Sequence, residues 1–328
     1  MKTKPISKDV LKIDAAAEIA RICESLRNKL ARMLRRRGAV VGVSGGIDSS
    51  VTLGLAVKAL TPDRVLALMM PERHSAEETL RLSQQVAEHF GCRKAAEDIT
   101  VILEAVGHYQ RYNDAIRKVI PEYGKGWKSK LVKSQVDEHR GFSLYYIVAQ
   151  KPDGALQKIR LGLEPYLEIL AATNFKQRIR KMLEYYYADC LNYAVFGTPN
   201  RLEYDQGFFV KQGDGAADVK PIAHLYKTQV YQLAAYLDIP AEIRSRPPTT
   251  DTYSLTQGQD EFYFALPYDK MDLCLYAKNN NITPDEIGPA VDMTPEQVQA
   301  VYDDIDTKRS TTRYLHLAPL LIEKIPEI

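Results

Sequence analysis

The chain has 328 residues, and its 44 lysine and arginine residues nearly balance 42 aspartate and glutamate residues, for a formal net charge of +2. This balance gives no global argument for a nucleic-acid or membrane partner, and none is expected. The 4 cysteines are scattered without metal-ligand spacing, which is typical of a reducing compartment. Because no apolar segment could span a bilayer and the polar N-terminus is unlike a signal peptide, the sequence predicts a cytoplasmic protein.

The first part of the chain alternates between helical and strand-like patterns. The predicted elements are a helix over 14–36, a strand over 39–43, a helix that ends before Pro62, a strand over 65–70 and a weaker strand over 95–99. Ser75 and Glu78 form a candidate capping box for a further helix. This alternation predicts an α/β layered domain with a mainly parallel sheet, whose carboxyl edge binds ligands.

A glycine-rich loop between the first strand and the second helix contains Ser44-Gly-Gly-Ile-Asp-Ser49. Its glycines let the backbone approach an anion, while the serines and the amides of the following helix donate hydrogen bonds. A carboxylate in such a cradle repels phosphate unless a cation bridges them, so Asp48 indicates bound Mg²⁺. For the same reason, Asp48→Asn is expected to raise the melting temperature of the ligand-free protein. An ordinary Gly-Ser turn is the alternative.

Residues 124–164 break the alternation. Two strand-like runs, over 142–148 and 156–161, flank a Pro-Asp-Gly turn at 152–154 and predict a β-hairpin. We therefore expect a single domain over 1–328 that carries this hairpin-containing segment as an insertion.

Trp127 lies among three lysines at the start of this insertion, Lys125, Lys128 and Lys130. Such a cluster can contact a partner or nucleic acid through stacking and charge. The alternative is a solvated loop that is held by one anchoring aromatic residue. The sequence leaves both interpretations open.

The second half resumes the α/β pattern with a helix around 179–187 and a strand over 193–197. A polar, glycine-rich region over 197–218 follows, and a further helix extends to Leu237. Such a loop after a strand is poor at packing and suited to holding ligands.

Several of these segments resemble known motifs. Ser-Gly-Gly-x-Asp-Ser resembles the pyrophosphate-binding loop of the N-type ATP pyrophosphatases, which split ATP into AMP and pyrophosphate. Gly-Phe-Phe-x-Lys-x-Gly-Asp-Gly-x-Ala-Asp (207–218), Leu-x-Lys-x-Gln (225–229) and Pro-Thr-x-Asp (248–251) are similar to the synthetase domain of NAD synthetases. The motifs follow in the family's order, and the similarity covers about 19–103 and 174–272. The resemblance implies an adenine-nucleotide-hydrolase-like fold.

The resemblance also implies roles for particular residues. Asp48 and Lys227 would be catalytic, Asp48 and Glu203 would bind Mg²⁺, and Arg178, Lys211 and Asp218 would bind deamido-NAD. The implied ATP site consists of Gly42, Val43, Ser44, Gly45, Gly46, Ile47, Asp48, Ser49, Thr198, Lys227 and Thr249. Taken alone, Lys227 could equally be solvated at a helix start, and Glu203 could be a surface carboxylate.

The implied reaction is ATP-dependent amidation of a carboxylate through an acyl-adenylate, with deamido-NAD as the expected acid and ammonia as the nitrogen source. The family's His-Lys pair near the C-terminus is replaced by Tyr314 and Leu315, and its Asp-Glu-Leu-Gly-x-x-Tyr segment differs over 260–268. Amidation or adenylation of another carboxylate therefore remains an alternative. A nucleotide-binding protein without turnover, or a tRNA-modifying adenylase, is a more remote one.

The source of ammonia and the assembly state also follow from the resemblance. Glutamine-dependent relatives carry an additional amidase domain, for which the sequence before the ATP loop leaves no room. We therefore expect free ammonia, or ammonia from a separate glutaminase. The family resemblance further implies a homodimer with the acceptor site near its interface.

Overall fold

The computed structural model describes residues 6–133, 144–247, 249–250, 253–255, 257–258, 263 and 266–326. Its strands are β1 (Ala39–Gly42), β2 (Val65–Met69), β3 (Arg93–Ala96), β4 (Lys128–Lys133), β5 (Tyr145–Gln150), β6 (Leu156–Arg160), β7 (Ala194–Phe196), β8 (Thr249–Thr250) and β9 (Gln257–Gly258). Its α-helices are α1 (Ala15–Asn28), α2 (Ile47–Leu60), α3 (Glu77–His89), α4 (Thr100–Ala105), α5 (His108–Arg117), α6 (Leu163–Leu191), α7 (Arg201–Gln206), α8 (Lys227–Tyr236), α9 (Ala241–Ser245), α10 (Tyr268–Asn279), α11 (Pro284–Val291) and α12 (Pro295–Thr312).

A parallel sheet with strand order β3-β2-β1-β7 forms the centre of the molecule. Ala39 and Val41 of β1 pack into an apolar layer with α1, α2 and α8, whereas Val40 packs into the opposite layer with α4 and α6. Because successive side chains of a strand point to opposite faces, this short run of small and β-branched residues is buried on both sides. The predicted layered α/β class is confirmed.

A third apolar cluster joins α10, α11 and α12 to α7, beside the central sheet. The helix predicted over 14–36 consists of α1 and a π-helical segment, Lys29–Leu34. In the described part of the chain, none of the helices combines the length and apolar character that crossing a bilayer requires.

The predicted capping box at Ser75 is wrong. Helix α3 begins at Glu77 with Ala76 as its N-cap, and no side chain caps it. Ser75 Oγ instead accepts a hydrogen bond from the backbone nitrogen of Glu72 at 3.1 Å. The serine therefore closes the turn that follows β2 and does not start the helix.

The insertion forms its own antiparallel sheet, in the order β4-β5-β6, separate from the parallel one. The predicted hairpin corresponds to β5 and β6. Strand β4 was not predicted, and it places Lys128 and Lys130 on a strand rather than in a loop. Leu131 and Ile147 pack against Ile169 of α6, and Trp127 is half-buried beside them. The division of the chain into one domain with an insertion at 124–164 stays a prediction.

Candidate active site

A cavity of about 520 Å³ opens at the carboxyl edge of the parallel sheet. It is lined by the loop after β1, the loop after β7 and one face of α6. Strands β2 and β3 lie on one side of β1 and β7 lies on the other, so the chain changes direction at β1. Ligands of open α/β sheets bind in the crevice that such a change of direction creates.

The loop after β1 has the conformation that an anion-binding turn requires. Gly45 has a φ of +69°, and a Cβ atom there would lie 2.8 Å from the carbonyl oxygen of Thr79. Ser49 Oγ donates to the carbonyl of Gly46 at 3.0 Å and accepts from the backbone nitrogen of Ser44 at 3.3 Å. Gly46 is the N-cap of α2 and provides no side-chain cap. The first amides of α2 therefore point toward the cavity without a side-chain acceptor from the cap residue.

Asp48 and Lys227 form an ion pair beneath this loop. The amide of Asn200 donates to Asp48 Oδ1 at 3.2 Å, which fixes the carboxylate from the side of β7. The Lys227 side chain is only 1% exposed. Its burial opposes a positive charge, but attraction by Asp48 and Glu203 outweighs burial and raises the pKa of Lys227. Lys227 is therefore a buried cation in the cavity wall and not a solvated residue.

Glu203 faces the same point from the first turn of α7. Its Oε2 atom accepts from the backbone nitrogen of Asn200 at 3.1 Å, and Asn200 Oδ1 accepts from the backbone nitrogen of Glu203 at 3.2 Å. This capping box orients the carboxylate toward the cavity. Enclosure by the protein, and then the negative charge of Asp48, raise the pKa of Glu203 to about 8. Two carboxylates thus compete for one lysine.

This pair of carboxylates suits Mg²⁺. Among the described residues, no group of three or more His, Cys, Asp or Glu side chains is arranged to hold a metal ion. Mg²⁺ commonly binds one or two carboxylates and completes its coordination with water and phosphate oxygens. Asp48 and Glu203 therefore form a donor set of the right kind for a magnesium ion that arrives with a nucleotide.

A basic region lies further along the cavity. Arg178 Nε donates to the carbonyl of Lys211 at 3.4 Å, and Lys211 Nζ donates to the carbonyl of Tyr314 at 2.8 Å. Tyr314 and Leu315, which occupy the positions of the family's His-Lys pair, line the same cavity. The structure thus brings together Arg178, Lys211 and the segment in which the sequence departs from the family.

One predicted site residue, Asp218, does not line the cavity. The Asp218 carboxylate accepts from the backbone nitrogen of Val195 at 2.7 Å and from the Tyr185 hydroxyl at 3.3 Å. Asp218 therefore bonds to the middle residue of β7, and a role in substrate binding stays a prediction. Thr249 lies in β8, where it pairs with Gly258, and its side chain is outside the described residues. Thr198 lies in the cavity wall.

Sequence reasoning missed a second buried ion pair at this cavity. Lys181 Nζ lies 2.6 Å from Glu184 Oε2, and a Cβ atom at Gly42 would lie 2.8 Å from Glu184 Oε1. A side chain at Gly42 would therefore displace the Glu184 carboxylate, which α6 packs against the end of β1. The pair has ordinary helical spacing in the sequence, so only the packing of α6 on the sheet shows that it is buried.

The parallel sheet, its change of direction at β1 and the anion-binding loop define a nucleotide-binding enzyme of the adenine-nucleotide-hydrolase-like fold. The sequence model of the NAD synthase family matches residues 18–126 and 130–313 of this chain. The chain is 58% identical to the NH3-dependent NAD+ synthetase of Rhizobium meliloti over 98% of its own length and 96% of the relative. It is 57% identical to the enzyme of the same name from Mesorhizobium japonicum over 97% of its length and 100% of the relative.

Solved structures share the fold at lower identity. An NMN synthetase from Francisella tularensis is 20% identical with a TM-score of 0.65, and covers 94% of this chain and 99% of that one. An NH3-dependent NAD synthetase from Campylobacter jejuni is 22% identical with a TM-score of 0.61, and covers 95% and 100%. The protein belongs to the NAD synthase family. The predicted NAD synthetase-type ligase, which forms a carbon–nitrogen bond, is confirmed.

Proposed function

We propose that the protein amidates deamido-NAD with ATP and ammonia, and releases NAD, AMP and pyrophosphate. The observation that carries this proposal is the convergence of Asp48, Lys227 and Glu203 at a phosphate-type loop, in one cavity with Arg178 and Lys211. A carboxylate is a poor electrophile because its leaving group would be oxide. Activation by a nucleotide therefore has to precede attack by ammonia.

The first step joins the substrate carboxylate to the α-phosphorus of ATP. A carboxylate oxygen forms the new bond, and the bond to the bridging oxygen of pyrophosphate breaks. Ser44, Ser49 and the first amides of α2 hold the departing pyrophosphate by hydrogen bonds. One donor of this kind contributes about 3 kcal/mol to the transition state in comparable sites. Asp48 and Glu203 would hold Mg²⁺, which when bound neutralises charge on the phosphate oxygens.

Lys227 can pair either with Asp48 or with a bound nucleotide. In the ligand-free protein its ammonium group pairs with Asp48. Negative charge on a bound nucleotide gives Lys227 a second partner, and frees the Asp48 carboxylate for a cation. In the second step the lone pair of ammonia attacks the acyl carbon, the nitrogen loses a proton and AMP leaves. The protein contributes positioning and exclusion of water, since water would hydrolyse the adenylate.

Deamido-NAD is preferred over another carboxylate because the relatives that are 56–58% identical share one name, NH3-dependent NAD+ synthetase. The Francisella NMN synthetase, at 20% identity, shows only the shared fold. The deciding experiment measures pyrophosphate release from ATP with deamido-NAD or with nicotinate mononucleotide, each with ammonium or glutamine. We expect turnover with deamido-NAD and ammonium. Turnover with the mononucleotide alone would replace the proposed substrate, and turnover with glutamine would contradict the nitrogen source.

A homodimer is part of the proposal. Leu163, Leu167, Met182 and Tyr186 are exposed large apolar residues on α6, the helix that also carries Arg178. They form two separate pairs along the helix, and exposed large apolar residues of this kind are common at interfaces. Light scattering at micromolar concentration should give the mass of two chains, and the mass of one chain would contradict this part.

A further inference from the structure

The face of α6 that borders the cavity has two chemically different ends. Six cavity-lining residues of this helix follow one another at steps of three or four, as expected for a single face: Tyr166, Leu170, Thr173, Gln177, Lys181 and Glu184. Asn174, Arg178 and Arg180 line the cavity beside them. Lys181 and Glu184 lie beside Gly42 at the phosphate loop. Tyr166 lies at the opposite end, about 18 Å along the helix axis beyond Arg178.

At that opposite end the insertion completes the cavity. Tyr145 of β5 stacks on Tyr166, with ring centroids 4.1 Å apart and planes inclined by 21°. Tyr253 and Tyr263 line the cavity too. Both Tyr145 and Tyr166 are half-buried, so their stacked rings remain accessible from the cavity.

The alternation of β5 explains why Tyr145 reaches the cavity. Tyr145 shares a strand face with Ile147 and Ala149, which are buried against α5 and α6. Tyr146 points to the opposite face, where Lys158 Nζ lies 4.6 Å from the centroid of its ring. Adjacent tyrosines therefore have different environments, since only Tyr145 lines the cavity.

Hydrogen bonds and an ion pair hold the insertion in place, so that Tyr145 can form a fixed part of the cavity wall. The backbone nitrogen of Ser129 on β4 donates to Ser254 Oγ at 2.9 Å. Lys133, at the end of β4, pairs with Asp304 of α12 at 2.9 Å, and both side chains are largely buried. These contacts attach the antiparallel sheet to the C-terminal helices as well as to α6.

We propose that the stacked pair Tyr145 and Tyr166 binds a planar heterocyclic ring of the carboxylate substrate, and that the insertion is thereby a determinant of acceptor specificity. This inference rests on the proposed function for the identity of that substrate. The phosphate loop places ATP at one end of the cavity, and the predicted acceptor residues Arg178 and Lys211 lie between that loop and the tyrosines. Aromatic rings favour offset stacking with other rings. Deamido-NAD carries two such rings, nicotinate and adenine, and either could stack on Tyr145 and Tyr166.

Calorimetric titration with deamido-NAD and with ATP, each alone, tests binding to Tyr145 and Tyr166 without requiring turnover. For Tyr145→Leu we expect the Kd for deamido-NAD to rise roughly tenfold, while the Kd for ATP stays within about twofold. Tyr145→Phe keeps the ring and should bind like wild type. Tyr146→Leu is the matched control, because it removes the neighbouring ring from the opposite strand face. Equal Kd values for Tyr145→Leu and Tyr146→Leu would overturn the inference.

Nicotinate mononucleotide, which lacks the adenosine half, identifies the ring. A weaker complex of this ligand with Tyr145→Leu assigns nicotinate to the wall, and an unchanged complex assigns adenine. Pyrophosphate release by the wild type is measured in parallel. If Tyr145→Leu loses affinity for deamido-NAD but the wild type shows no turnover, the proposed function is contradicted and ring binding by the tyrosines is supported. If the wild type turns over and Tyr145→Leu binds normally, the proposed function is supported and ring binding by the tyrosines is contradicted.

Discussion

Asp272 of α10 accepts a hydrogen bond from the backbone nitrogen of Lys227 at 3.2 Å, and its other oxygen accepts from Thr228 at 2.7 Å. These are the first two amides of α8, so a carboxylate from a distant helix caps the helix that begins with the buried lysine. Burial raises the pKa of Asp272 to about 6, although both hydrogen bonds oppose that shift. The C-terminal helices therefore fix the position from which Lys227 reaches the phosphate loop.

Asp272→Ala should lower both stability and turnover. It removes the acceptors of two amides, and loss of a helix cap costs about 1 kcal/mol. We expect kcat to fall roughly tenfold, because a small displacement of a catalytic group is costly. Thermal melts and pyrophosphate release measure the two effects. Asp269→Asn is the control, since Asp269 pairs with Lys8 on the surface. Normal kcat in a destabilised Asp272→Ala would show that the cap does not position Lys227.

Asp48→Asn and Glu203→Gln should both abolish most of the magnesium-dependent adenylation, since each keeps the size of the side chain but removes a charge that the cation needs. Their melting temperatures should differ. The sequence led us to expect a more stable Asp48→Asn protein. The ion pair argues for the opposite result, because Lys227 would lose its ion-pair partner Asp48, at a cost of about 3 kcal/mol. Glu203→Gln removes repulsion and should keep or raise the melting temperature.

Melts of the ligand-free variants beside magnesium titrations of the rate check both parts of this prediction. If Asp48→Asn kept near-normal turnover at low magnesium, the loop would be a structural turn and the metal assignment would be wrong.

Arg178→Ala should weaken binding of deamido-NAD and leave ATP binding near the wild-type value. Arg178 is exposed and donates to the backbone carbonyl of Lys211 at 3.4 Å, so its removal should not disturb the fold. Separate KM determinations for the two substrates distinguish this result from a general loss of activity. A parallel rise in both KM values would place Arg178 at the nucleotide instead.

His108 should make the free energy of unfolding depend on pH in the acid range. Its Nδ1 atom lies 2.8 Å from the carbonyl of Ala172, and burial lowers the pKa of His108 to about 4. The unfolded chain binds a proton near pH 6.5. Stabilisation by the neutral ring is therefore complete above about pH 6.5, and up to about 3 kcal/mol is lost as the pH falls to 4.

Urea unfolding of wild type and His108→Gln at pH 7.5, 6 and 5 tests this dependence. The variant should be less stable at pH 7.5 but should lose less stability between pH 7.5 and 5. Parallel pH profiles of the two proteins would show that other groups are responsible.

The sequence allowed most of the candidate nucleotide site to be predicted, because the loop residues are contiguous and follow an apolar strand. Glu203 was placed through its motif, and its capping partner Asn200 lies only three residues away. Asp272 could not be found in this way, since its contact with Lys227 depends on how two distant helices pack. Strand β4 was missed because its lysines resemble those of a solvated loop, although Ser129 and Leu131 on its other face are buried.

Helix α6 is one uninterrupted element of 29 residues that extends from the stacked pair Tyr145 and Tyr166 to the phosphate loop. Each residue added to a helix turns everything beyond it by about 100° and advances it by about 1.5 Å. A single inserted or deleted residue between Tyr166 and Lys181 would therefore aim the two ends of the cavity in different directions. Single side chains on this helix can be substituted without moving the rest of the helix. An insertion or deletion cannot be accommodated in the same way, because the number of residues in the helix sets the distance and the angle between the two ends of the cavity.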